Sequence, residues 1–264
     1  MMTENNKNTY TLITGASSGI GMALARECAS RGMNLYLVSL PGTGLPELAG
    51  ELSDACGIQT EFLETDLEAE QSHAEVYRYS QERQLRINML INNVGVGYNG
   101  DFEKMEEAHI TRMMMLNMKT TTLLTQLALP ELKSHHRAYI LNLCSMAAFI
   151  PIPGKSIYSA TKAYVLYFTK SLQSELKATG IQVSCVVPAG VPTNSNVIDR
   201  IKHTSWFGKK LIQSPETVAR HALTGLFAGK TVIFPGNKLK ALYLAGSILP
   251  QGLVNRLMTK EFRK

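Results

Sequence analysis

Along the first 190 residues, short apolar runs alternate with longer stretches whose apolar positions recur every three to four residues. The short runs predict β-strands near Tyr10–Thr14, Asn34–Ser39, Ile58–Leu63, Asn88–Asn92, Ala138–Leu143 and Ile181–Val186, with a seventh near Thr231–Phe234. The longer stretches predict helices near Ile20–Arg31, Leu45–Ala55, Glu68–Arg83, Met105–Leu132 and Ile157–Thr179. Another helix begins after Ser214, where Ser-Pro-Glu supplies an N-cap, a proline at the first helical position and an acid in the first turn. Strand and helix alternating in this way build βαβ units, so the pattern predicts an α/β fold. It is a doubly wound parallel sheet of about seven strands with helices on both faces. Such sheets bind ligands beyond the carboxyl ends of their strands.

Composition narrows the class. Of 264 residues, 45% are apolar and 18% charged, which excludes a disordered chain, a collagen repeat and a disulfide scaffold. No linker, internal repeat or low-complexity tract divides residues 1–264, so the chain reads as one domain. Cys28, Cys56, Cys144 and Cys185 lie far apart without a CxxC pair, which points to a reducing compartment. The amino-terminal MMTENNKNTY has no apolar stretch of the signal-peptide kind. The longest uncharged apolar run, Ala241 to Val254, has 14 residues interrupted by Pro250, short of the roughly 20 that span a bilayer. A cytoplasmic protein without a transmembrane helix is expected.

The net charge of +6 is unevenly placed. Residues 1–199 hold 15 Lys and Arg against 19 Asp and Glu, whereas residues 200–264 hold 12 against 2. That basic end either forms a solvated surface or attracts an anion, such as a charged group on a substrate or, weakly, a membrane surface. Its cations are spread along the segment, with Lys209-Lys210 and Arg263-Lys264 the adjacent pairs, and lack the interleaved aromatics of a nucleic-acid site, so nucleic acid is not an expected partner. The six histidines show no metal-ligand spacing, and no metal is expected. Met113 to Met115 reads as core or as a helix-packing interface, and Cys144 as a small buried apolar group.

The first strand runs into Thr14-Gly15-Ala16-Ser17-Ser18-Gly19-Ile20-Gly21, and a helix follows at once. Glycines there let the backbone turn tightly and approach a pyrophosphate, which free N–H groups and the helix dipole stabilise. Other segments fall in order behind it. Asn92-Asn93-Val94-Gly95 follows the fourth strand and Ser145 the fifth, Tyr158-Ser159-Ala160-Thr161-Lys162 enters a helix, and Pro188-Ala189-Gly190-Val191-Pro192-Thr193 follows the sixth strand. With its TGxxxGxG spacing, the sequence resembles the short-chain dehydrogenase/reductase family in its shorter single-domain branch. The resemblance covers residues 10 to about 193 and, more loosely, the whole chain. It implies a Rossmann fold and an NAD(P)-dependent oxidoreductase moving hydride between a nicotinamide cofactor and a carbonyl or alcohol. It also implies a homodimer or homotetramer built on the helices Met105–Leu132 and Ile157–Thr179. The family usually has alanine where Val94 stands and glycine where Ala189 stands, and neither departure removes a reactive group.

Tyr158 and Lys162 are four residues apart, so on a helix they share one face about one turn apart. An ammonium beside a phenol favours the phenolate, moving a group that ordinarily titrates at about 10 toward the range of a general acid/base. Ser145 stands 13 residues before Tyr158, at the carboxyl end of a strand. The resemblance implies that Ser145 hydrogen-bonds the substrate oxygen and that Tyr158 and Lys162 also meet the cofactor, Lys162 at its ribose. It implies that Asn117, polar among methionines, holds a water linking the lysine to solvent; the alternative is a buried asparagine paired with backbone. The cofactor set it implies is Gly15, Ser17, Ser18, Gly19, Ile20 and Gly21 in the turn, Ser39 after strand two, Asp66 and Leu67 at the adenine, Asn92 and Gly95 on the adenosine ribose side, and Val191 and Thr193 at the carboxamide. Asp66 reads equally as an N-cap for the helix beginning at Glu68.

Strand two ends in Ser39 and Leu40, without the acid typical of NAD-preferring members or the arginine typical of NADP-preferring ones. No Lys or Arg lies between Arg31 and Arg78, so a 2′-phosphate would rest on Ser17, Ser39, Thr43 and the loop Pro41-Gly42-Thr43-Gly44 as an anion nest. A carboxylate would repel that phosphate and neutral hydroxyls do not, so the expectation is NADP(H) over NAD(H). The uncharged stretch Met146 to Pro153, and the lid that the resemblance implies over Asn194 to Gln213 with Trp206 and Phe207, suit a lipophilic ketone such as a 3-oxoacyl chain or a steroid-like carbonyl. The opposing reading is a non-catalytic dinucleotide-binding sensor or scaffold, which has no need of Asn117, Ser145, Tyr158 and Lys162 together.

Overall fold

The computed structural model describes residues 9–193 and 211–248. Seven strands, β1 (Thr9–Thr14), β2 (Asn34–Ser39), β3 (Thr60–Glu64), β4 (Arg86–Asn92), β5 (Ala138–Leu143), β6 (Ile181–Val186) and β7 (Val232–Ile233), form one sheet. Their order is β3-β2-β1-β4-β5-β6-β7 and every neighbouring pair is parallel. The direction of winding reverses between β1 and β4, which opens a crevice at the carboxyl ends of those two strands. The helices are α1 (Gly19–Ser30), α2 (Leu45–Cys56), α3 (Ser72–Glu82), α4 (Glu107–Met114), α5 (Thr121–Lys133), α6 (Ser156–Glu175), α7 (Pro215–Phe227) and α8 (Asn237–Ile248).

Alternation along each strand divides the core between the two faces. Ile13, Leu35, Leu37, Met89 and Ile91 pack with α1, α2 and α7, whereas Leu12, Tyr36, Val38 and Leu90 pack with α3, α5 and α6. With both faces covered, β2 is buried at all six positions, as a central parallel strand requires. A third cluster, with Cys144, Met146, Val165, Cys185, Val187 and Leu239, fills the space between α6, β6 and α8. Phe149, Phe234 and Tyr243 cluster beside it, with ring centroids 4.6 to 5.9 Å apart, and join α8 to the loop after β5.

Several elements differ from the sequence reading. The single helix expected over Met105–Leu132 is α4, a π-helical segment (Met115–Thr120) and α5, with a 3-10 turn (Phe102–Lys104) ahead of them. A π-turn inserts one residue into an otherwise helical register, and here it coincides with the bond that Asn117 makes to the neighbouring loop. The helix expected from Glu68 starts only at Ser72, because the Asp66 carboxylate accepts from the Glu68 N–H at 2.9 Å and closes a turn instead. The helix expected to reach Thr179 ends at Glu175, before a left-handed Gly180 with φ 75°. Helix α8 was not foreseen. Residues 194–210, where most of the expected lid falls, and 249–264, at the basic end, lie outside the described residues. Among the described residues, no helix is long and apolar enough to cross a membrane.

Gln84 is the one non-glycine residue with positive φ among those described, at 54°. It ends α3 with a Schellman pattern, Leu85 N–H donating to the Ser80 carbonyl at 2.8 Å and Gln84 N–H to that of Gln81 at 3.0 Å. Glycine adopts this conformation without the Cβ clash, so Gln84→Gly is expected to raise unfolding free energy by roughly 0.5 kcal/mol after its extra unfolded-state entropy is subtracted. Urea denaturation checks it: a lower midpoint in the variant would contradict the strain.

Candidate active site

The turn between β1 and α1 is held from the side by the chain leaving β4. The Asn93 amide donates to the carbonyls of Thr14 at 2.8 Å and Gly15 at 3.0 Å, while the Thr14 hydroxyl oxygen accepts from the N–H groups of Asn93 at 3.0 Å and Val94 at 3.1 Å. Gly21 makes room for this arrangement, because a Cβ there would collide with the Gly15 carbonyl oxygen and stand 2.5 Å from Asn93 Nδ2. Gly19 has φ 54°, and Thr193, from the loop after β6, lies so close that a Cβ on Gly19 would be 2.9 Å from its side chain. Ser18 occupies the N-cap of α1 without a capping hydrogen bond from its side chain, which leaves first-turn N–H groups aimed past the turn. A braced glycine turn, a close-packed floor and N–H groups at a helix N-terminus fit a pyrophosphate.

Across the crevice, Lys162 lies on α6 and is only 4% exposed. Its Nζ donates to the Leu143 carbonyl at 2.8 Å and stands 5.8 Å from the centre of the Tyr158 ring, on the same helix face. Burial pulls its ammonium down to about 8, partly offset by the neighbouring Cys144. Tyr158 is half-buried, its ring seated where a Cβ on Gly97 would come within 3.3 Å. Gly95 lies between the other groups, since a Cβ there would be 2.8 Å from Asn117 Oδ1 and 3.4 Å from Lys162 Nζ. Asn117 accepts from the Val96 N–H and donates to the Val96 carbonyl and the Thr161 hydroxyl, each at 2.9 Å. Thr161 in turn donates to the Tyr158 carbonyl at 2.9 Å. The structure therefore brings Gly95, Asn117, Tyr158 and Lys162 together, with the asparagine paired to backbone as the alternative reading had it.

Ser145 is half-buried at the end of β5, where its hydroxyl oxygen accepts from the Ala147 N–H at 3.2 Å and caps the 3-10 turn Met146–Ala148. Met146 N–H donates to the Pro188 carbonyl at 3.0 Å, which ties the ends of β5 and β6. At the end of β2, the Ser39 hydroxyl lies 2.5 Å from that of Ser17 and 3.2 Å from that of Thr43. Other expected cofactor residues sit less directly. Asn92 turns its amide into the interior, donating to Thr125 and Asn142 at 2.9 Å. Leu67, Ile20 and Val191 are core side chains, so any contact they make is through backbone or van der Waals surface. Cys144 does more than fill space, because its thiol donates to the Lys162 carbonyl at 3.4 Å.

The sequence reading missed Asn93, Gly97, Thr161 and the Leu143 carbonyl as parts of this site. Only Asn93 had a usable signal, since adjacent residues leaving a strand face opposite ways and one of Asn92 and Asn93 had to face the turn. Among the described residues, no group of three or more His, Cys, Asp or Glu is placed to hold a metal.

The family profile for short chain dehydrogenase matches residues 9–202. A very-long-chain 3-oxoacyl-CoA reductase of Anas platyrhynchos is 32% identical over 258 residues, covering 95% of this chain and 79% of that protein. A Homo sapiens protein named inactive hydroxysteroid dehydrogenase-like protein 1 is 30% identical over 226 residues, 84% of this chain and 66% of its own length. A short-chain dehydrogenase from Sphingobium yanoikuyae, solved in complex with NADPH, matches with TM-score 0.79 and 33% identity over 93% of this chain and 94% of that one. The profile match runs through the strand that makes the glycine turn and the helix that carries the tyrosine and lysine, and so the chain belongs to the short-chain dehydrogenase/reductase family of NAD(P)-dependent oxidoreductases.

Proposed function

We propose that the chain, acting as a single catalytic domain, reduces a lipophilic ketone of the 3-oxoacyl or steroid-like kind and prefers NADPH. The observation that carries the catalytic part is the buried Lys162 Nζ beneath the Tyr158 ring, on a helix that faces the glycine turn's crevice. When bound, the nicotinamide group supplies the hydride that reaches the carbonyl carbon. The Tyr158 hydroxyl donates its proton to the carbonyl oxygen, and the Lys162 ammonium favours the phenolate that remains. The Ser145 hydroxyl donates a hydrogen bond to the same oxygen and stabilises charge developing there. Asn117 holds the chain around Val96 against α6 and so fixes where Lys162 stands. Alcohol oxidation uses the same groups in reverse.

A lipophilic substrate is supported by the uncharged stretch Met146 to Pro153 at the end of β5, continuous with the Phe149, Phe234 and Tyr243 cluster. It is supported also by the reductase relative's name. NADPH is supported by the absence of an acid at Ser39 and by the NADPH complex of the similar dehydrogenase. Screening purified protein against ketones, 3-oxoacyl thioesters and alcohols, with reduced-nicotinamide absorbance as the readout, tests the reading. Comparing kcat/KM for NADPH and NADH tests the preference, and a strong preference for NADH would refute it. A non-catalytic dinucleotide-binding role is the second reading, favoured by the human relative's description as inactive. Silence across that panel in a protein that still binds the nucleotide would decide for it.

The same proposal includes a homodimer or homotetramer. Met114 on α4 is 48% exposed and Tyr167 on α6 is 67% exposed, and these large apolar surfaces lie on helices that neighbour one another. Light scattering at micromolar concentration is expected to give at least twice the 29.1 kDa chain mass. A monomer mass would contradict it.

A further inference from the structure

The end of β2 is where a doubly wound fold meets the adenosine ribose, about 20 residues beyond the glycine motif. In this chain the residues there are Ser39, with its hydroxyl between those of Ser17 and Thr43, and the exposed loop from Leu40 to Gly44. The register of the sheet sets β3 beside it, with Ser39 opposite Glu64. From that position the Glu64 carboxylate accepts the Gly42 N–H at 2.9 Å. Gly42 and Gly44 both have positive φ, at 71° and 75°, the left-handed half of the αR-αL pairing that turns successive N–H groups toward one anion. One donor of the loop that a 2′-phosphate would use is therefore already given to a carboxylate of the protein itself.

Resting on the reading of the glycine turn as a dinucleotide site, we propose that Glu64 sets cofactor selection from the neighbouring strand. It holds down affinity for the 2′-phosphate by competing for the Gly42 N–H and by like-charge repulsion. An adenosine 2′-hydroxyl carries no charge and is not repelled. No Lys or Arg lies between Arg31 and Arg78 in sequence to offset that carboxylate. The loop's other carboxylate neighbour is Glu47 in the first turn of α2, whose Oε2 lies 3.9 Å from where a Cβ on Gly44 would stand. The NADPH preference is therefore shallow in the native chain, and Glu64 is the residue that keeps it so.

Glu64→Gln removes the charge and leaves the Gly42 N–H only a neutral amide oxygen, a weaker acceptor than the carboxylate. The test is calorimetric binding of adenosine 2′,5′-bisphosphate and of 5′-AMP to the whole chain at low ionic strength, where surface charge is least screened. Glu64→Gln is expected to tighten the bisphosphate about tenfold and 5′-AMP less than about twofold. Glu64→Lys is expected to tighten the bisphosphate further, whereas Glu47→Gln, with the same charge change and no bond to Gly42, should move it by less than about threefold. An unchanged bisphosphate affinity in Glu64→Gln and Glu64→Lys, or an equal gain for both nucleotides, overturns the role of Glu64. Failure of either nucleotide to bind any form overturns the dinucleotide reading of the turn, and this proposal with it.

Discussion

Replacing Tyr158 with phenylalanine is expected to lower kcat by roughly 10²–10⁴-fold, the loss that follows removal of a positioned general acid. The exchange removes the hydroxyl and keeps the ring. That ring is what Gly97 accommodates at 3.3 Å and what lies over Lys162 Nζ, so the packing of α6 against the crevice survives. On the proposed reading the nucleotide sits on the turn between Thr14 and Gly21, which Asn93 braces through bonds that do not involve Tyr158. The variant should therefore bind reduced nicotinamide cofactor within about twofold of the native affinity while turnover collapses. Turnover near the native rate would remove Tyr158 from the reaction; loss of binding together with turnover would show that its hydroxyl holds the site in shape.

Lys162 carries the second large effect, and it has a pH signature independent of turnover. Burial lowers its ammonium from the ordinary 10.5 to about 8. Between those values the unfolded chain binds the proton and the folded chain does not, so unfolding takes up a proton there. The contribution of this lysine to stability is thus least favourable below about pH 8 and improves as pH rises toward about 10.5. Measured against Lys162→Met, the native chain should gain stability across that window by up to ~3 kcal/mol, the free energy of a shift of this size. Urea unfolding of both proteins at a series of pH values reads the difference directly. A flat difference would mean that the ammonium is not desolvated in the free protein. The same variant should lose turnover by about 10²-fold or more, because the phenolate of Tyr158 loses its neighbouring positive charge.

The sheet was legible because six of its strands are short apolar runs set between helical periods. The placement of the glycine turn and of the Tyr158/Lys162 pair was legible because each is fixed by spacing along the chain. What was not legible depends on bonds across the fold. The helix through Met113 and Asn117 keeps a helical apolar period, and its π-turn accompanies bonds across the fold, from Asn117 to Val96 and Thr161 and from Thr120 to the Leu67 carbonyl. Asp66 carries the residue type of an N-cap, but its carboxylate spends itself on a turn four residues ahead of the helix it was expected to start. The Leu143 carbonyl that receives Lys162 has no side-chain signature at all. Glu64 looks like any polar position on an edge strand until the parallel register sets it opposite Ser39. Helix α8 was not legible because its apolar stretch marks no face by its period, and its place beside β7 is set by the contacts of Tyr243 with Phe149 and Phe234.

Following the hydride itself is the most direct measurement. With NADPH deuterated at its transferable position and a lipophilic ketone or 3-oxoacyl thioester as acceptor, the native chain should place deuterium on the carbinol carbon, from one face of the nicotinamide only. Tyr158→Phe should do so at a rate lower by roughly 10²–10⁴-fold. If the deuterium stays in the nicotinamide, with NADPH and NADH alike and across the whole series of carbonyl compounds, the chain does not transfer hydride and the catalytic reading of its site is wrong.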